Sequence, residues 1–259
     1  MCAVSYLNTV PLVWGLLQDP AQADTFDLRF AVPSACADQL ASGQADIGIV
    51  PVIEMSRQKL SYFRETGIAS YGPVRSILLI SKVPFGKIRK LATDSGSRTS
   101  VMLSRIILAE KYGVEPQIIS HTPDLAAMLG AADAALLIGD AALRVDPATL
   151  PFETLDLGEQ WTNLTGLPMV FAVWAGRAEA IVEPYGAALQ ASCRYGLAHI
   201  EDIIRQETTE RGFPESLVRE YLTHHIRFEF SDSHSTAIET YLKHAAALKR
   251  TAVSGAVSA

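Results

Sequence analysis

Three short stretches gather the groups able to do polar chemistry. Ser5-Tyr6-Leu7-Asn8-Thr9-Val10-Pro11-Leu12 places an amide and hydroxyls at one corner. Cys2-Ala3-Val4 before it reads as a short buried strand. Pro11 after it suits the first turn of a helix, where its missing N–H costs nothing and its φ is preset. Asn8 or Thr9 stands where an N-cap belongs. Free backbone N–H groups and the helix dipole make such a corner an anion site. A capped turn with no further role fits the same residues. The second stretch, Asp94-Ser95-Gly96-Ser97-Arg98-Thr99-Ser100, sets hydroxyls, backbone N–H groups and a guanidinium at a helix start. That chemistry suits a carboxylate or a phosphate, and a solvated Ser-rich turn is its bland counterpart. The third is Gly139-Asp140, where Asp140 reads as an N-cap or as the general base of a reaction. No GxSxG, HExxH, GxGxxG or Walker A pattern occurs.

The elements that must position these corners alternate. Cys2 to Val4, Phe26 to Val32 and Ala45 to Pro51 read as strands. Short helices from Val13 to Gln18 and from Ala35 to Ala41 separate them. This is the β-α-β-α-β order of a parallel sheet with crossover helices. Ile68 to Ile80 is β-rich, is broken by Gly72-Pro73, and runs into a hinge at Ser81 to Pro84. A second β-α run follows: strands near 87–92, 117–120 and 134–138, and helices over 101–112 and 124–129. Met169 to Ala175 is apolar enough for a buried return strand. The remainder reads as helices, starting at Pro184, Pro214 and a Thr236/Glu239 capping box. The apolar stripe of the second of these includes Leu217, Val218, Tyr221 and Leu222.

The chain is therefore expected to be α/β with two lobes. Residues 1–82 plus 171–250 form a discontinuous first lobe that carries the C-terminal helices. Residues 83–170 form the second lobe, and 251–259 a flexible tail. A double-strand hinge lets the lobes close on a ligand, in a cleft at the carboxyl ends of strands.

Composition narrows the partners. The 259 residues are 49% hydrophobic and 19% charged, ample for a core. The formal charge of -6 with no Lys/Arg cluster excludes nucleic acid as a partner. Three widely spaced cysteines and six scattered histidines give no metal spacing and point to a reducing compartment. No basic residue precedes Arg29 and no apolar run spans a bilayer, so neither a secretory signal nor a membrane anchor is read. A cytoplasmic location is expected. From these residues alone the function is capture or conversion of a small anionic ligand.

The motifs go further. Ser5 to Leu12 resembles the N-terminal hallmark of the chorismate dehydratases of the futalosine route to menaquinone. Asp94 to Ser100 is similar to that family's Asp-x-x-Ser-Arg-Thr-Ser stretch. Ile138 to Leu143 and Thr165 to Ala172 match in order and spacing, so the resemblance spans about residues 2–250. Family members usually carry a few more residues before the first strand. The resemblance implies a fold like type II periplasmic solute-binding proteins. It implies a hydro-lyase that converts chorismate, a dianion, to 3-[(1-carboxyvinyl)oxy]benzoate without a cofactor. By position it implies Asn8 and Ser76 as catalytic residues. Ser97, Arg98, Thr99 and Ser100 would bind a substrate carboxylate, and Tyr6, Thr9, Gly139, Asp140 and Met169 complete the binding set. The proton acceptor would be the substrate's own enolpyruvyl carboxylate or Asp140. The same fold also serves solute-binding proteins for small anions, the alternative reading.

Overall fold

A computed structural model gives the architecture. It describes the chain except residues 23–24, 95, 97 and 258–259, and without the side chains of 249–257. The elements run β1 (Cys2–Val4), α1 (Val10–Gln18), β2 (Arg29–Ala31), α2 (Pro33–Ala41), β3 (Ile47–Pro51), α3 (Glu54–Gln58), β4 (Ser61–Ser70), β5 (Ile77–Ser81), β6 (Lys90–Asp94), α4 (Arg98–Tyr112), β7 (Gln117–His121), α5 (Leu125–Ala131), β8 (Ala134–Ile138), α6 (Gly139–Leu143), β9 (Glu153–Asp156), α7 (Leu157–Thr165), β10 (Met169–Gly176), α8 (Glu183–Ala198), α9 (Ile200–Arg211), α10 (Glu215–Glu220), β11 (Arg227–Glu229) and α11 (Asp232–Val257). A π-helical turn, Tyr221–His225, follows α10.

Two sheets form two lobes. The first has the order β11-β4-β10-β3-β1-β2 and the second β7-β6-β8-β5-β9. β1 is parallel to β2 and β3, while β10 runs antiparallel to β3 and β4. In the second sheet β6 is parallel to β7 and β8, and β5 is antiparallel to β8. β5 is buried on both faces. Ile77 and Leu79 join the main core, and Leu78 and Ile80 join a second cluster with Ala92, Met128 and Leu137. That period of two is what a helix-covered sheet requires.

Pairing moves the crossings from where the sequence places them. Ile77–Ser81, expected in the first lobe, pairs with β8 and β9 of the second. Met169 and Val170, expected at the end of the second lobe, pair with Ser70 and Ala69 of the first. The chain thus crosses at 71–76 and 166–168, because strand partners are set by long-range pairing that local composition does not encode.

Other expectations change too. The single helix expected between Pro184 and Pro214 is two, α8 and α9, joined at His199. Thr236 does not cap a helix: α11 starts at Asp232, and the Thr236 hydroxyl bonds back to the Asp232 carbonyl at 3.4 Å. α11 extends through most of the stretch expected as a flexible tail, up to Val257, and residues 258–259 lie outside the described residues. α8 packs on α1 so tightly that a Cβ on Gly196 would fall 2.1 Å from the Pro11 carbonyl oxygen. Cys2, Cys36 and Cys193 are buried free thiols. No helix among the described residues is long and apolar enough to cross a membrane.

Candidate active site

The corners meet because parallel strands end on the same side. Asn8 follows β1, Thr99 and Ser100 begin α4 after β6, and Gly139 follows β8. Ser76 reaches the same edge from the opposite direction, since antiparallel register pairs Ile77 with Ile138. The Gly139 N–H donates to the Ser76 carbonyl at 2.8 Å. Between the lobes lies a narrow cleft with about 530 Å³ of space that includes open solvent at its mouth. Its polar lining is Tyr6, Asn8, Ser76, Thr99 and Ser100; Val4, Ile68, Val74, Ile138 and Phe171 are among its apolar walls.

One wall is a hydrogen-bonded chain. The Asn8 side-chain amide donates to the Tyr221 phenol oxygen at 3.0 Å, and that phenol donates to Ser76 Oγ at 2.8 Å. Tyr221 and Ser76 are each 1% exposed. Burial pushes the Tyr221 phenol above its ordinary pKa, so it stays neutral. Asn8 Oδ1 is buried and has no partner. Tyr6 packs its ring against Gly139, whose φ of 54° lies in the left-handed region. The Tyr6 phenol is also raised, first by burial and then by the charges of Asp94 and Asp140.

The charged residues tie the lobes rather than line the cleft. Asp140 accepts the Leu7 N–H at 3.1 Å and Arg211 Nη1 at 2.5 Å. Arg211 also bonds Glu207 Oε2 at 2.5 Å and the Ser5 carbonyl at 3.1 Å. Burial works against the Arg211 charge, yet Glu207 and Asp140 outweigh it and hold its pKa above the ordinary value. Arg98 gives its guanidinium to Asp38 at 2.7 Å and to the buried Glu54 at 3.3 Å. The Thr99 hydroxyl accepts the Ile53 N–H at 3.3 Å, and its carbonyl accepts from Tyr241 at 2.9 Å.

A family described as menaquinone biosynthesis matches residues 1–247. The chain belongs to this menaquinone biosynthesis family. It is 29% identical to a chorismate dehydratase from Thermus thermophilus, across 84% of each chain. Its fold is similar to that of protein AF1704 from Archaeoglobus fulgidus, with a TM-score of 0.74, 14% identity and coverage of 95% and 96%. It is also similar to the periplasmic aliphatic sulphonate binding protein SsuA from Escherichia coli, with a TM-score of 0.64, 16% identity and coverage of 97% and 86%. A Candida albicans protein described as having the generic periplasmic binding protein fold gives a TM-score of 0.59 at 14% identity, covering 95% of this chain and 89% of that one. The α/β two-lobed binding-protein fold expected from the sequence is therefore the fold of this family member.

Within it, the residues singled out in the sequence separate by place. Tyr6, Asn8, Ser76, Thr99, Ser100 and Gly139 line the cleft together. Ser97 lies outside the described residues. Arg98 and Asp140 sit in the ionic ties between lobes. Thr9 is buried, with its hydroxyl unpartnered, and Met169 is buried in β10; neither lines the cleft. Thr9 holds the N-cap position of α1, as expected, but its side chain makes no cap hydrogen bond, and Asp140 is the second residue of α6 rather than its N-cap. Two residues were unannounced: Tyr221, which bonds the lining residues Asn8 and Ser76, and Arg211, which ties Asp140 outside the cleft. Tyr221 sits at helical spacing among Leu217, Val218 and Leu222, which reads as core. Arg211 ends α9 before Gly212, a position that reads as a favourable charge at a helix end.

Proposed function

We propose that this chain is a chorismate dehydratase, producing 3-[(1-carboxyvinyl)oxy]benzoate and water. The ring loses the hydrogen at C3 and the hydroxyl at C4 and becomes aromatic. A proton leaves C3 and a hydroxide leaves C4, together making water, so no electrons are exchanged with the protein. Family membership and the Thermus thermophilus relative support the substrate. The observation that carries the mechanism is the lining of the cleft: hydroxyls, a phenol and an amide, with no carboxylate, imidazole or amine among the described lining residues.

Such a site holds a substrate that brings its own base. The enolpyruvyl carboxylate takes the C3 proton and returns it to the departing hydroxide, so water leaves and the carboxylate is restored. Ser76 spends a lone pair on Tyr221 and keeps its hydrogen for the C4 oxygen. Asn8 Oδ1, buried and unpartnered, accepts the hydrogen of that same hydroxyl. Thr99 and Ser100, at the start of α4 beside Ser97 and Arg98, receive a carboxylate through hydroxyls and backbone N–H groups. The protein contributes position and a dry, polar enclosure.

Incubation of the purified protein with chorismate tests this directly. The benzoate product is expected in the ultraviolet spectrum and by chromatography. No product at saturating chorismate would leave a solute-binding protein. Asn8→Ala is expected to lower kcat by about 10²–10³-fold, as removal of a positioned polar group at a reacting centre does, while Asp140→Asn keeps most of it. The opposite pair of results would make Asp140 the base.

A further inference from the structure

We infer that Tyr221 is a positioning residue that sets the polarity of the site, an inference that rests on the dehydratase reading above. Its phenol stands between the two side chains that face the reacting hydroxyl. A phenol has one hydrogen. Tyr221 donates it to Ser76 Oγ at 2.8 Å and accepts from Asn8 Nδ2 at 3.0 Å. This order decides what the cleft sees. With its amide nitrogen committed to Tyr221, Asn8 presents its oxygen, the atom left buried without a partner. With a lone pair committed, Ser76 presents its hydrogen. Were the chain reversed, Asn8 would be the donor and Ser76 the acceptor, so the two groups would exchange roles toward the hydroxyl.

The backbone holds Tyr221 to this task. It opens the π-helical turn Tyr221–His225, and its carbonyl accepts the Ile226 N–H that ends that turn. A π turn is a local widening of a helix that frequently occurs at functional sites. The ring is 1% exposed, and burial holds the phenol neutral, so it keeps the one hydrogen the chain needs. Tyr221 belongs to the first lobe, as Asn8 does, whereas Ser76 lies on the crossing between lobes, directly before β5. The phenol therefore also fixes the crossing segment against the first lobe at the place where the hydroxyl must be aimed.

Tyr221→Phe keeps the ring and removes the oxygen. Chorismate turnover is expected to fall about 10- to 100-fold in kcat, the size of one lost buried hydrogen bond, with KM nearly unchanged. A double-variant cycle separates positioning from mere packing: Tyr221→Phe should add almost nothing once Ser76 is already alanine. The side-chain amide resonance of Asn8 in the ligand-free protein should shift in Tyr221→Phe. Unchanged kcat, full additivity with Ser76→Ala, or an unmoved Asn8 resonance would each overturn the inference. If the wild-type protein does not turn over chorismate, the dehydratase reading fails, and the Asn8 resonance still decides the hydrogen-bond chain. If Tyr221→Phe does not fold, Ser76→Ala takes its place. Loss of the phenol's acceptor moves the Asn8 resonance if the chain exists and leaves it in place if it does not.

Discussion

At Gly139 a single hydrogen separates the backbone from the ring of Tyr6. A Cβ there would meet Tyr6 Cδ2 at 2.8 Å, and the φ of 54° is one that side-chain-bearing residues rarely adopt. Gly139→Ala is thus expected to displace Tyr6, destabilise the fold by about 1–2 kcal/mol, and reduce chorismate turnover; thermal melting and a kinetic assay check both. The two phenols of the site make a second prediction. Burial raises Tyr6 and Tyr221 alike. A raised phenol pKa keeps the neutral, donating form above the ordinary value of about 10. The rate of the wild-type enzyme should therefore show no loss attributable to phenol ionisation up to about pH 10. A Tyr-dependent alkaline limb below that pH would contradict the role given to these groups.

The crossing at 71–76 shows how elements constrain a residue. Asp156 caps α7 through the N–H groups of Gly158 at 3.0 Å and Glu159 at 3.2 Å. The same carboxylate accepts the N–H of Val74 at 2.9 Å and of Arg75 at 2.6 Å. One side chain therefore fixes both a helix start and the crossing segment that delivers Ser76. Arg75 sits at a φ of 66°, and its guanidinium bonds the carbonyls of Ala142 and Val145. The strained backbone persists because these contacts over-determine it. Asp156→Ala leaves four N–H groups without this acceptor and is expected to cost about 2–4 kcal/mol of stability, measured by urea denaturation, with Ser76-dependent turnover falling alongside.

Across the whole molecule, the lobes are held by a small number of ties outside the cleft. Asp140 of the second lobe engages Arg211 and the Leu7 N–H of the first, and Arg98 engages Asp38 and Glu54. α11 adds Tyr241 to the Thr99 carbonyl and sets its ring edge-on to Trp161, with centroids 5.9 Å apart. A C-terminal helix expected on the first lobe thus reaches the second. Arg211→Ala removes one tie without touching the lining of the cleft. It is expected to raise KM for chorismate about 3- to 10-fold with kcat largely kept, the scale of one partly exposed ion pair. Small-angle scattering of the ligand-free variant should show a larger radius of gyration. An unchanged KM would mean that this pair does not govern closure.

What the sequence determined by itself was local: alternation of strand and helix, apolar runs that had to be buried, and polar corners at helix starts. Asn8, Thr99 and Gly139 were legible because each sits within a few residues of the turn that exposes it. Ser76 and the menaquinone-family assignment came from resemblance of whole motifs. Tertiary structure alone decided which side chains share a hydrogen bond. Tyr221 meets Asn8 across 213 residues of chain and Ser76 across 145, and Asp140 is claimed by Arg211 across 71. Periodicity reports burial, and a buried tyrosine on a helix face looks the same whether its oxygen is satisfied by the core or turned to a site. The crossings were misplaced for the same reason, since a strand's partner is chosen by long-range register and not by its own residues.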